Sequence, residues 1–553
     1  MGIPGLARRL EPYATTCSPE QLDGYSAVID GPALAYYSHK LALAASGSPT
    51  RLPSYEDVIT AAMHWLSALE QINIKVSIIL FDGALPASKR TERLSRLQQN
   101  NRRVQQLRAS YPTASCPVPT YLGAIAYAFL APALKEALAE SAFASRTHIV
   151  PGEADDWCAM HAKDNAQSII FTSDTDLILY EYPTETLIVF LHDADLSAGI
   201  KAYSPEQMRQ QLQLKSLIPF AYALLSGPQD PTNDLVRNAR GVNPESAEYM
   251  DFSRRYIVQV VTPAHLPSTV GSPLTLPELD VRVSEFVHQA LTGSINPLVY
   301  LPLLVEDPNQ ASAWKMGQDV RTVAYSLLAT RHLTVQEYRR KAQGITVQEI
   351  STYAVMNVRI PVTELEREVS ALTEWATFRC VRSELLWPLF ALSLVLAELN
   401  TPPSVALVLR VLNGDSDNTW AFIQLTARIQ AAMYSLRMVS QVVRVWITLN
   451  VGGDGKLYSC VSSLQKQMKG FPSIPAMFSI PGQSMKVLAD HEKLKELVEE
   501  IYASAGAEVP TEQISNKKNK RQIREADRKK RKAEQRLQPN AQISNAFGML
   551  TTD

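Results

Sequence analysis

Four short apolar runs in the first 180 residues constrain this chain more than any other feature of it. Ser26-Ala27-Val28-Ile29, Val76 to Phe81, His148-Ile149-Val150 and Ser168 to Thr172 are continuous rather than alternating, as strands covered on both faces are. Between them, Tyr55 to Gln71 and Pro132 to Ala144 carry apolar residues at helical spacing. That rhythm predicts an α/β domain, doubly wound around a mainly parallel sheet.

Each of these runs leads into carboxylates. They are Asp30-Gly31, Asp82-Gly83, Gly152-Glu153-Ala154-Asp155-Asp156 and Ser173-Asp174-Thr175-Asp176. One such pair alone is ordinary turn or N-cap chemistry. Four together are different, because strands of a parallel sheet end on one edge, where ligand crevices form. Asp30, Asp82, Glu153, Asp155, Asp174 and Asp176 are therefore expected to converge. Like charges so placed repel strongly unless cations neutralise them. Oxygen-only donors select Mg²⁺ or Mn²⁺ over zinc, and two such ions about 4 Å apart suit phosphodiester hydrolysis. Asp174 and Asp176, at i and i+2 on an extended segment, point the same way. Asp156 competes with Glu153 and Asp155 if a helix has already begun there.

Residues 83–110 then hold 7 basic residues and 1 acidic one. Lys89, Arg93 and Arg96 fall on one helical face. Such a cationic ridge is what a phosphate backbone needs to approach carboxylates.

The 553 residues make about three to five domain equivalents. A net charge of −1 conceals a basic tail: residues 517–536 carry 11 basic and 3 acidic side chains, or +8, leaving −9 elsewhere. Five cysteines without C-x-x-C or His-flanked spacing argue against a zinc finger or a disulfide framework. The run Leu385 to Ala397 is too short for a bilayer and reads as a buried helix. The start, Met1 to Leu6, has no targeting pattern and is expected to belong to the fold. From about 212 to 502 the patterns are helical, Trp420 to Ile447 for example, with no fixed-period repeat. The organisation expected is 1–256, 257–505 as an α-helical region, and 506–553 as a disordered basic tail.

Met-Gly-Ile-Pro-Gly-Leu, Val-Ile-Asp-Gly, Phe-Asp-Gly, Gly-Glu-Ala-Asp and Ser-Asp-Thr-Asp together resemble the XPG/flap endonuclease family over roughly the first 230 residues. The spacing fits too, with 71 residues from Asp82 to Glu153 and 21 from there to Asp174. The resemblance implies a PIN-like fold with a helical arch and metal-dependent cleavage of DNA at single-strand/double-strand junctions, in DNA repair. It implies two Mg²⁺ ions, with Mn²⁺ able to substitute. The six carboxylates would be ligands, and Asp230 is a further candidate. Lys89 and Arg96 would act at the scissile phosphate, while Gly2, Tyr36, Arg93 and Arg103 would contact nucleic acid.

Two departures stand out. Asp230 arrives late after Leu224-Leu225, and Gly241-Val242-Asn243-Pro244 has Asn where the family's duplex-gripping hairpin has its second Gly. These changes, the helical C-terminal half and the basic tail look more like the Asteroid branch of that family. The alternative function is thus an adaptor with weak or no nuclease activity, acting on DNA or RNA or through protein contacts. Arg528, Lys529, Lys530, Arg531 and Lys532 read as a nuclear localisation signal, for a nuclear or nuclear and cytoplasmic protein. A monomer with no membrane contact is expected, with any protein partner meeting the C-terminal region.

Overall fold

The computed structural model describes residues 2–47, 51–86, 89–113, 115–116, 118–257, 279–450, 453, 455–483, 491–510 and 528. Lys529 to Lys532 and nearly all of the basic tail lie outside the described residues.

Seven strands form the main sheet: β1 (Thr15–Cys17), β2 (Ser26–Asp30), β3 (Lys75–Phe81), β4 (Thr147–Ile149), β5 (Ser168–Thr172), β6 (Leu187–Asp195) and β7 (Gly199–Tyr203). Their order is β1-β7-β6-β5-β2-β3-β4. The five from β4 across to β6 are parallel, and β7 and β1 add antiparallel pairs at one side. The expected doubly wound, mainly parallel sheet followed by a largely helical region is borne out by the strand order and directions.

Strand chemistry explains the layering. Along β2 and β5 alternate residues enter opposite cores: Ile29 and Phe171 on one face, Val28 and Ile170 on the other. This is the period of 2 that a pleated strand imposes. On the first face lie α1 (Gly31–Ala45), α2 (Tyr55–Gln71), α3 (Arg90–Ser110) and α4 (Leu130–Ala139); on the second, α5 (Ala154–Lys163), α6 (Ile218–Ser226) and α7 (Thr232–Arg240). Helix α2 starts where a capping box allows it: Asp57 N donates to Ser54 Oγ, and Ser54 N donates to Asp57 Oδ2.

The later chain continues the first core. It contributes α8 (Val281–Leu291), α9 (Gln318–Leu327), the expected buried helix α10 (Ser383–Glu398) and the 30-residue α11 (Trp420–Leu449). Among the described residues no single helix is long and apolar enough to cross a membrane.

The region read as helical also holds a second sheet, β8 (Leu298–Tyr300), β9 (Thr334–Lys341) and β10 (Gly344–Ser351), in the order β10-β9-β8. Its signals were hidden for physical reasons. Glu337 on one face of β9 and Arg340 on the other are buried charges, so neither face reads as apolar. The hairpin turn places Ala342, rather than Gly or Asn, at φ 50°.

Candidate functional site

Chain order reverses beside β2, since β3 and β4 lie on one side of it and β5 and β6 on the other. Crevices open at such switch points, beyond the carboxyl ends of the strands. A chain of hydrogen bonds crosses this one. Asp30 ends β2 and caps α1, accepting from Ala33 N at 3.1 Å, and its other oxygen accepts from Thr172 Oγ1 at 2.7 Å. Thr172 Oγ1 in turn accepts from Asp174 N at 2.9 Å, and Asp174 Oδ1 accepts from Asp176 N at 3.0 Å. Asp176 accepts from Ile3 N at 2.8 Å and from the Tyr256 hydroxyl at 3.3 Å.

On the other side of β2, Asp82 Oδ1 accepts from Ala154 N, 2.9 Å away at the start of α5. The strand ends come so close that a Cβ on Gly83 would sit 1.9 Å from Val150 O. Gly2 is equally confined: a Cβ there would lie 2.2 Å from Thr175 Oγ1 and 2.5 Å from Asp174 Oδ1. The amino-terminal segment therefore seals one wall of the crevice.

Helix α5 does begin at Ala154, which separates the roles of its acids. Asp155 faces the crevice, where Asp174, Asp30, Asp82 and Glu153 all act on it. Asp156 is turned aside and accepts from the Tyr180 hydroxyl at 2.7 Å.

Burial and mutual repulsion raise these acids. Burial, aided by Asp82 and Asp174, pushes Asp30 up to about 7 against its two hydrogen bonds. Glu153 also rises to about 7, chiefly by burial, with Lys89 opposing. Asp176 rises to about 6 through burial and Asp174, Asp82 rises through burial, and Asp155 rises well above the usual range through burial and then Asp174. The nearest cation is Lys89 Nζ, 3.5 Å from Glu153 Oε1. Burial works against its charge, but Glu153, Asp155 and Asp174 outweigh that and push it up to about 12.

The other expected residues divide. Tyr36 is 52% exposed, so its ring is open to a ligand. Arg96 and Arg103 are exposed, Arg96 in an i,i+4 pair with Glu92. Arg93 is instead half-buried, donating to Glu285 Oε1 at 2.7 Å and lying over the Tyr300 ring. Asp230 folds back over Gly227, close enough that a Cβ there would lie 2.2 Å from Asp230 Oδ2. Asn243 closes the turn after α7, its side chain accepting from Glu245 N. Sequence reasoning missed Tyr256 and Glu285, which lie 80 and 192 positions from their partners Asp176 and Arg93 and carry no local signal.

The donor chemistry fits divalent cations: the donors are all oxygens, buried at Asp30 and half-buried at the other five acids, and each of Asp30, Glu153 and Asp155 feels other carboxylates. Thr175 Oγ1, buried against Gly2, has no hydrogen-bond partner among the described residues, which leaves a further oxygen for a ligand. Among the described residues no three His, Cys, Asp or Glu side chains are gathered into a ready-made ion-holding group.

Comparison with known proteins agrees with the motifs. Residues 126–352 match a family model described as XPG domain containing, which takes in Glu153 to Asp176 and runs on into the second sheet. Asteroid homolog 1 of Schizosaccharomyces pombe is 25% identical over 344 residues, 59% of this chain and 60% of that relative's length. Among solved structures, human GEN1 bound to Holliday junction DNA is 15% identical over 46% of this chain and 59% of its own, with a TM-score of 0.28. The catalytic core of Rad2 with DNA substrate is 17% identical over 46% of this chain and 77% of its own, with a TM-score of 0.27. Both are partial overlays, and the fold rests on the strand order above. By its motifs, its family-model match and its curated relative, this chain resembles the XPG family, and within it the Asteroid branch.

Proposed function

We propose that this protein is a divalent-cation-dependent nuclease hydrolysing phosphodiester bonds in flapped or 5′-ended DNA, in DNA repair. The observation that carries the reading is the carboxylate crevice itself, where Asp174, Asp30, Asp82 and Glu153 all act on Asp155 and, among the described residues, Lys89 pairs with Glu153 at the rim. Asp30, Asp82, Glu153, Asp155, Asp174 and Asp176 would hold one or two Mg²⁺ or Mn²⁺ ions. Bound there, such ions activate water and stabilise the leaving oxygen.

The chain's own residues do the positioning. Lys89, at the rim, presents a fixed positive charge to an incoming phosphate. Arg96 is held, among the described residues, by an exposed pair with Glu92 worth about 0–1 kcal/mol, so it turns to a phosphate at little cost. The open ring of Tyr36 offers a surface on which a base can stack. The basic segment around Arg528 would add sequence-independent phosphate contacts and nuclear delivery.

The closure of Arg93 by Glu285 favours a second reading, an Asteroid-like adaptor with weak or no cleavage. Incubation with labelled flapped, nicked and single-stranded DNA in Mn²⁺, beside an Asp174→Ala control, separates the two. The nuclease reading predicts cleavage that the control loses. Equal background on every substrate would sink it and leave the adaptor.

A further inference from the structure

We infer that Glu285 occupies, on Arg93, the place of a substrate phosphate, so that nucleic acid engages this end of the crevice only by displacing it. This rests on the nucleic-acid reading above and adds to it a residue, from outside the motif-bearing region, that sets how tightly the substrate is held.

The geometry is that of a filled phosphate seat. Arg93 Nη1 donates to Glu285 Oε1 at 2.7 Å, and the two side chains are 14% and 6% exposed. The guanidinium carbon stands 4.1 Å from the centre of the Tyr300 ring, which fixes its plane. A carboxylate and a phosphate present the same anionic oxygens to a guanidinium. The seat adjoins the crevice, because Asp82 feels Arg93 and Glu285 with opposite signs. Of the three cations on the ridge, Arg93 alone is closed by the later chain; Lys89 faces Glu153 and Arg96 faces Glu92.

The closure is part of a longer clasp. Arg108 donates to Asp307 at 2.9 Å and lies over Trp420, while Asn101 and Gln105 both donate to Gln343 O. Helix α3 is thus held at both ends and in its middle by residues that follow the main sheet. A phosphate that takes Arg93 leaves Glu285 beside Asp82 without its partner, so binding there is opposed by the fold itself.

The test is binding of fluorescein-labelled flapped and single-stranded DNA by the full chain, with Ca²⁺ replacing Mg²⁺, across a salt series. Glu285→Gln, which keeps the shape and removes the charge, should tighten binding about tenfold and steepen the salt dependence by about one phosphate. Adding Arg93→Ala should abolish both gains. Tyr300→Leu, which loosens the seat without altering charge, should give a smaller gain of the same kind and serves if Glu285→Gln folds poorly. Wild-type binding that neither Glu285→Gln nor Tyr300→Leu improves, or a gain that survives Arg93→Ala, overturns the inference alone. Absence of binding by every variant overturns the nucleic-acid reading with it.

Discussion

The molecule treats buried acids in two opposite ways. In the region after the main sheet each is matched: Glu337 with Arg321 at 2.6 Å, Glu306 with Arg340 at 2.6 Å, and Asp280 with Arg437 at 3.0 Å. Further donors complete the sets, Tyr325 for Glu337 and Tyr434 for Asp280. At the sheet edge, among the described residues, Asp30 and Asp82 are held by hydrogen bonds, Asp155 is ringed by like charges, and Lys89 forms its ion pair with Glu153 while it and Arg93 act on Asp82 from further off. The pKa directions follow. Glu337 stays below its usual range because Arg321 outweighs burial, whereas the crevice acids rise. Acids that serve the fold bring their own cations; acids left without them are arranged for a cation from outside.

If that contrast is right, its largest consequence is for the matched set. Glu337→Ala leaves Arg321 buried and uncompensated, which should cost about 3–5 kcal/mol. Urea unfolding monitored by tryptophan fluorescence measures it, and a loss below about 1 kcal/mol would break the contrast at its structural end.

The crevice should respond to pH in the way raised acids require. Asp30, Glu153 and Asp176 titrate at about 7, 7 and 6 in the fold, against about 4 when unfolded. The folded state therefore binds these protons more tightly. Their favourable contribution is present below about pH 4 and is lost as pH rises through 6 to 7. In EDTA the urea midpoint should fall between pH 5 and 8, reporting a loss of up to about 7 kcal/mol if the three acids titrate independently. Asp155→Asn, which removes one of the repelling charges, should shrink that fall. A midpoint that is flat or rises with pH would contradict the charge imbalance.

A smaller effect separates positioning from charge. Tyr256→Phe deletes the hydroxyl that Asp176 accepts and should cost about 1 kcal/mol of stability. Because Tyr256 only orients Asp176, the variant should weaken Mn²⁺ affinity while leaving the pH trend in place. An unchanged Mn²⁺ affinity would remove Tyr256 from the site.

What could be read from the sequence follows the same division. Strands β2 to β5 and their terminal acids were legible because continuous β-branched runs and Asp-Gly turns are local signals. The extent of α2 and the burial of α10 were legible for the same reason. Strand β9 was not, since Glu337 and Arg340, buried on its opposite faces, look polar until their partners are known. Nor could a sequence show whether Asp155 or Asp156 faces the crevice, which depends on where α5 starts and on Tyr180. The cationic ridge was seen as one face, but only the fold shows that Glu285 closes its middle member.

The central claim, that the crevice is short of cations by design, is tested most directly by thermal unfolding of the wild-type protein and Asp155→Asn during Mn²⁺ titration at pH 8. The account predicts a midpoint for the wild type that rises with the logarithm of Mn²⁺ concentration above Kd, a stabilisation of about 2.7 kcal/mol at a hundredfold excess, and a much smaller rise for the variant. No rise in the wild type, or an equal rise in both, would contradict it.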